Sequence, residues 1–149
     1  TTPPTPLPTV APTPLPTALC DRPGSYLLGT VCQECEPGKY SDPPAGTWVM
    51  SCDECAAGTY TNASGQGVCT DCAVGTSIPS SGATACVPCE LGRYMSSTGA
   101  SSCAICAVGK IAATSEGSTA CDLCDAGKYN SDISTDAQYH DDSEDCVAC

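Results

Sequence analysis

Seven Cys-x-x-Cys steps run down this chain, at Cys32/Cys35, Cys52/Cys55, Cys69/Cys72, Cys86/Cys89, Cys103/Cys106, Cys121/Cys124 and Cys146/Cys149. Successive steps are 20, 17, 17, 17, 18 and 25 residues apart. A period of this length predicts a stack of small units that touch their neighbours rather than one domain with an enclosed core. The unit is clearest after Cys55. Gly58 follows, then Tyr60 and Gly65, and the Cys69/Cys72 step closes it. A glycine stands three residues after the second cysteine of each step that has sequence beyond it, at Gly38, Gly58, Gly75, Gly92, Gly109 and Gly127. Two residues further come Tyr40, Tyr60, Ser77, Tyr94, Ile111 and Tyr129. Cys20 has no step partner, yet Gly24 and Tyr26 follow it, as in a unit whose opening half is missing.

The units are read as 20–35, 35–55, 55–72, 72–89, 89–106, 106–124 and 124–149, with extra residues around Trp48 in the second and around His140 in the last. Each is expected to hold two short extended segments and a tight turn, with glycine supplying positive φ or close backbone approach. No apolar helical period appears. The aromatic position is read as structural, a ring laid against the disulfide of its own unit or the next. Ser77 and Ile111 would interrupt a ligand-binding stripe.

Apolar side chains are too few to hold such a chain. Leu, Ile, Val and Phe make up about 13% of it, below the roughly 20% at which disorder becomes the default. Burial on that scale does not offset a backbone entropy cost of about 1–2 kcal/mol per residue. The 15 cysteines are the remaining source of stability. Paired thiols persist in oxidising surroundings, so the expected location is extracellular, at the cell surface or secreted. Asn62-Ala63-Ser64 is an N-glycosylation acceptor and agrees with that. The chain begins at Thr1 with neither Met nor a signal peptide and reads as a mature chain or a segment of a longer one. It has no apolar run of spanning length, so no direct membrane insertion is expected. A net charge of −12 argues against nucleic acid and anionic membranes as partners.

Residues 1–19 form a separate region with seven Pro and six Thr. Pro4–Thr9 recurs as Pro12–Thr17. Proline fixes φ and removes donors, which predicts a polyproline II arm of about 3.1 Å per residue. Thr1, Thr2, Thr5, Thr9, Thr13 and Thr17 are candidate O-glycosylation sites of a stalk. The arm is expected to be held by sugars, by its own repeats or by a neighbouring subunit.

Two pairings of the cysteines are open. The sequential one joins Cys20–Cys32, Cys35–Cys52, Cys55–Cys69, Cys72–Cys86, Cys89–Cys103, Cys106–Cys121 and Cys124–Cys146. It leaves Cys149 to pair outside the segment and accounts for the lone Cys20. The crosswise one joins, for example, Cys69–Cys86 with Cys72–Cys89. The sequential scheme is preferred. Each loop of about 15 residues is then worth about 3 kcal/mol against the reduced chain.

The grammar Cys-x-x-Gly-x-Tyr followed by Gly-x-x-x-Cys-x-x-Cys resembles the ephrin-receptor-like cysteine-rich repeat. It is also similar to the first, single-disulfide module of tumour-necrosis-factor-receptor domains. The resemblance covers residues 20–149 and departs at Ser77, Ile111 and the long loop 125–145. It implies sequential pairing and a role as spacer or interaction surface, with no shared binding residues to carry over.

Other chemistries fit less well. Cys-x-x-Cys pairs separated by 13 residues also match a four-cysteine zinc site. Their recurrence as a ladder behind a Pro/Thr stretch favours disulfides. Asp132, Asp136, Asp141, Asp142, Glu144 and Asp145 crowd one loop beside His140, and Asp141, Asp142, Glu144 and Asp145 are the candidate Ca²⁺ ligands. The spacing is not that of an EF-hand, and a solvated acidic loop is the favoured reading. His140 is the sole histidine, and no nucleophile motif accompanies it. No catalytic site and no cofactor are expected. The predicted fold is small and disulfide-rich, an elongated tandem array of short hairpin-like loops with little helix behind a polyproline II arm. The expected function is structural, a rod-like glycosylated block of a filament, surface hair or matrix with copies of itself as partners. A receptor or adhesion ectodomain is the alternative.

Overall fold

The computed structural model describes residue 20 and residues 22–112, 116–130, 140 and 143–148. The stalk 1–19 and its threonines lie outside the described residues, as do Asp132, Asp136, Asp141, Asp142 and Cys149.

The described residues form seven two-stranded antiparallel hairpins in chain order. The first pairs β1 (Ser25–Leu28) with β2 (Val31–Glu34). Gly29 and Thr30 make its two-residue turn, with Gly29 at φ 65°. The others have two residues per strand: β3 (Lys39–Tyr40) with β4 (Asp53–Glu54), β5 (Thr59–Tyr60) with β6 (Thr70–Asp71), and β7 (Thr76–Ser77) with β8 (Val87–Pro88). They continue as β9 (Arg93–Tyr94) with β10 (Ala104–Ile105), β11 (Lys110–Ile111) with β12 (Asp122–Leu123), and β13 (Lys128–Tyr129) with β14 (Val147–Ala148). One 3-10 turn, Ser143–Asp145, is the helical content among the described residues. Hairpins this short are marginal alone in water and need external support.

Disulfides supply the first support. The bridges are Cys20–Cys32, Cys35–Cys52, Cys55–Cys69, Cys72–Cys86, Cys89–Cys103, Cys106–Cys121 and Cys124–Cys146. Each links the cysteine that opens a hairpin to one just before its second strand, except that Cys32 lies within β2. Cys35, Cys55 and Cys72 have no solvent exposure, and the buried apolar set is otherwise Cys20, Cys89, Cys106, Cys146, Ile111 and Ala112. The core is therefore a line of sulfur.

Main-chain bonds supply the second support, and they repeat from unit to unit. After Cys55 the Thr59 N–H donates to the Ala56 carbonyl at 3.0 Å, closing a turn with Gly58 in its third position at φ 87°. A type II turn needs positive φ there, hence the glycine. The Cys72 N–H then donates to the Gly58 carbonyl at 2.9 Å and seals the unit. Between units, the first glycine donates to the residue after the next hairpin's first strand. Examples are Gly38 to Thr61 at 2.9 Å, Gly58 to Ile78 at 2.8 Å and Gly75 to Met95 at 2.8 Å. The later glycine donates backwards, Gly82 to the Cys55 carbonyl at 2.8 Å and Gly99 to that of Cys72 at 2.9 Å. A β-carbon added at Gly58 would collide with the Gly99 carbonyl, and one at Gly38 with that of Gly82. Each unit thus bonds to the next and packs against the one after it.

The two irregular units keep the same ladder. Val49 accepts from the Leu27 N–H at 2.8 Å, the same role that Gln66 plays for Ser41. In the last unit His140 takes that role, accepting from the Ala112 N–H at 2.8 Å.

Candidate functional site

From the second hairpin on, the residue after the first strand lies at the seam between units. Ser41, Thr61 and Asn130 occupy it as buried polar side chains. The Thr61 Oγ1 accepts from the Gly38 N–H at 2.8 Å and donates to the Lys39 carbonyl at 3.3 Å. The Ser41 Oγ donates to the Ser25 carbonyl at 2.8 Å. These hydroxyls satisfy main-chain groups that water does not reach. Thr61→Val is expected to lower stability by about 1 kcal/mol, since the Thr61 carbonyl still accepts from Gly38. Thermal unfolding of the variant against the wild type measures it, and an unchanged midpoint would remove the hydroxyl from the seam.

At Tyr26, Tyr60 and Ser77 the aromatic position faces the disulfide of the following unit. Ser77 Oγ is 3.2 Å from Cys103 Sγ. Tyr26 lines a shallow groove with Cys52, and Tyr60 lines another with Cys86. Ser77 and Ile111 are buried in this slot, while Tyr26, Tyr40, Tyr60 and Tyr94 are half-buried. The slot is part of the packing, and the smaller residues fit it by sinking deeper.

Outward-facing residues also repeat. Val74, Leu91 and Val108 each stand two places after a buried cysteine in consecutive units, and all are exposed. Glu34, Glu54 and Asp71 each stand immediately before one, with carboxyl groups over Gly65, Gly82 and Gly99. Ser81 Oγ donates to Glu54 Oε2 at 3.0 Å. The acidic residues fall in the first three units and the apolar ones in the next three.

Of the candidate Ca²⁺ ligands, Glu144 and Asp145 lie in the 3-10 turn, while Asp141 and Asp142 are outside the described residues. Among the described residues no group of three or more His, Cys, Asp or Glu is placed to hold a metal ion. Asn62 is exposed just beyond β5. Sequence reasoning missed the place of His140, which it set beside a solvated loop. The side chain is buried, with Nδ1 3.1 Å from the Lys110 carbonyl and 3.3 Å from Asn130 Nδ2. The only signal was positional: His140 precedes the closing Cys146 in a unit that has no second glycine.

Residues 44–85 match the family model described as tyrosine-protein kinase ephrin type A/B receptor-like. Those residues run from the Trp48 loop through the hairpin of Tyr60 to the edge of Cys86, and the same bridge and ladder recur on either side. These are ephrin-receptor-like cysteine-rich repeats. No curated protein matches the chain. Such repeats and their disulfides point to an extracellular or secreted domain and are not typical of enzymes. Among the described residues no helix is long and apolar enough to cross a membrane.

Proposed function

We propose that this chain is an extracellular structural protein, a rod-like glycosylated building block of a filament, surface hair or matrix, and that its partners are copies of itself. The ladder of bonds between consecutive units carries this reading. Each unit presents the same donors and acceptors to the next, so the stacking rule contains no step that limits its length. The array has no core beyond its line of disulfides, which leaves its surface for lateral contact. Val74, Leu91 and Val108 offer a repeating apolar face for such contact, and the mutual repulsion of a chain at −12 keeps unassembled copies soluble. The Pro/Thr stretch 1–19 serves in this reading as the arm that packs on a neighbour. The proposed chemistry is mechanical and not catalytic.

The family match favours a second reading, a receptor or adhesion ectodomain in which the repeats act as spacer or ligand surface. One experiment separates the two. The full chain is secreted from a eukaryotic host and followed by light scattering and negative-stain imaging over rising concentration. The structural reading expects elongated particles that associate into ordered filaments or sheets, with weaker association when residues 1–19 are removed. Monomers at every concentration that capture a soluble ligand would reject it in favour of the receptor reading.

A further inference from the structure

Asn62 is the one residue of the chain in an N-glycosylation sequon, completed by Ser64. The other asparagine, Asn130, is buried and has Asp132 where a hydroxyl would be required. The surroundings of Asn62 set it apart further. Its neighbour Thr61 is fixed by bonds to Gly38 and to the Ala83 carbonyl, the latter at 3.3 Å. Asn62 itself is exposed, and so are Ala63 and Ser64 in the bend that follows. A rigid main chain thus holds an amide out into solvent. That amide lines the groove formed by Tyr60, Thr76, Thr84 and Cys86, where the Cys72–Cys86 bridge comes nearest to solvent. Cys72 itself is fully buried, so thiols reach this bridge from the Cys86 side.

We propose that Asn62 carries an N-linked glycan whose first sugar lies in this groove and screens the Cys72–Cys86 bridge from attack by thiols. The donor is a lipid-linked oligosaccharide diphosphate. The bond from sugar C1 to the diphosphate oxygen breaks, a bond from C1 to Asn62 Nδ2 forms, the amide loses one proton, and the lipid diphosphate leaves. The Tyr60 ring and the hydroxyls of Thr76 and Thr84 give the sugar one apolar and two polar contacts. The neighbouring Cys89–Cys103 bridge borders a groove lined by Ser77, Pro79 and Arg93, with no sequon beside it.

The test uses the full chain secreted from a eukaryotic host, as wild type, Asn62→Gln and Ser64→Ala. Intact mass is expected to fall by the same glycan in both variants, and glycosidase treatment in heavy-oxygen water should leave a labelled aspartate at position 62 of the wild type. Folded wild type, before and after enzymatic deglycosylation, is then treated with limiting dithiothreitol and alkylated. Alkylation of Cys86 is expected to rise several-fold on deglycosylation, while that of Cys103 stays constant. Deglycosylating the folded protein keeps the test valid if either variant fails to fold. An unmodified Asn62 in the secreted wild type would overturn the site, and equal Cys86 alkylation with and without the glycan would overturn the screening.

Discussion

Reduction of the disulfides is expected to abolish the fold, with no compact intermediate. The buried apolar side chains among the described residues are seven cysteines, Ile111 and Ala112, and once the bridges open nothing comparable remains to pack. A loop of about 15 residues is worth about 3 kcal/mol, and seven such loops support seven hairpins, six of which have two residues per strand. Strict additivity does not hold between units that share bonds, but the total far exceeds what the exposed valines and leucines offer. Hydrogen exchange of the ladder amides at Gly38, Gly58 and Gly75 measures the effect, with protection lost on reduction and regained on reoxidation. Removing one bridge by Cys72→Ser with Cys86→Ser is expected to cost about 3 kcal/mol and to lower protection first in the unit 72–89 that it closes. Ladder amides that stay protected in the reduced protein would show that hydrogen bonding and packing suffice.

Gly58→Ala is expected to be the most damaging single methyl group. Gly58 sits at φ 87°, and its new β-carbon would meet the Gly99 carbonyl, main chain that belongs to the unit after next. A non-glycine residue in that conformation costs about 1–3 kcal/mol, and moving a backbone carbonyl adds to it. Gly46→Ala is the control. Gly46 has φ 77°, and nothing lies within 4 Å of its added carbon, so it bears that conformational cost alone, without the displaced carbonyl. Thermal midpoints of the two variants should therefore separate clearly. Equal losses would mean that the contact between alternate units contributes nothing.

These two results bear on how much of the molecule is legible in its residues. The period of the Cys-x-x-Cys steps and the glycine three places on are enough to expect a stack of hairpins with little helix, because disulfide spacing and positive φ are local constraints. The spacing left two cysteine pairings open, and the structure contains the sequential one. The function of the second glycine was not legible. Gly65, Gly82 and Gly99 sit at positive φ and lay their carbonyls against glycines about forty residues earlier, and such contact leaves no local pattern. The slot of Ser77 was legible as a break in an aromatic row, but its burial against Cys103 depends on the next unit. The burial of His140 was not legible for the same reason. An acidic neighbourhood argued for solvent, and the ladder bond from Ala112 drew its main chain into the seam.

The order in which the bridges close governs how far a pulled chain can lengthen. Each disulfide short-circuits its own loop, so tension passes from Cys55 to Cys69 across sulfur and then along the main chain to Cys72. Crossing the bridge spans 5.7 Å between Cα atoms, and the three remaining steps add about 10 Å at full stretch. An oxidised unit torn from its neighbours therefore reaches about 16 Å, against about 58 Å for 17 reduced residues drawn straight. Most of the contour is locked away from force, and chemical reduction rather than load is what releases it.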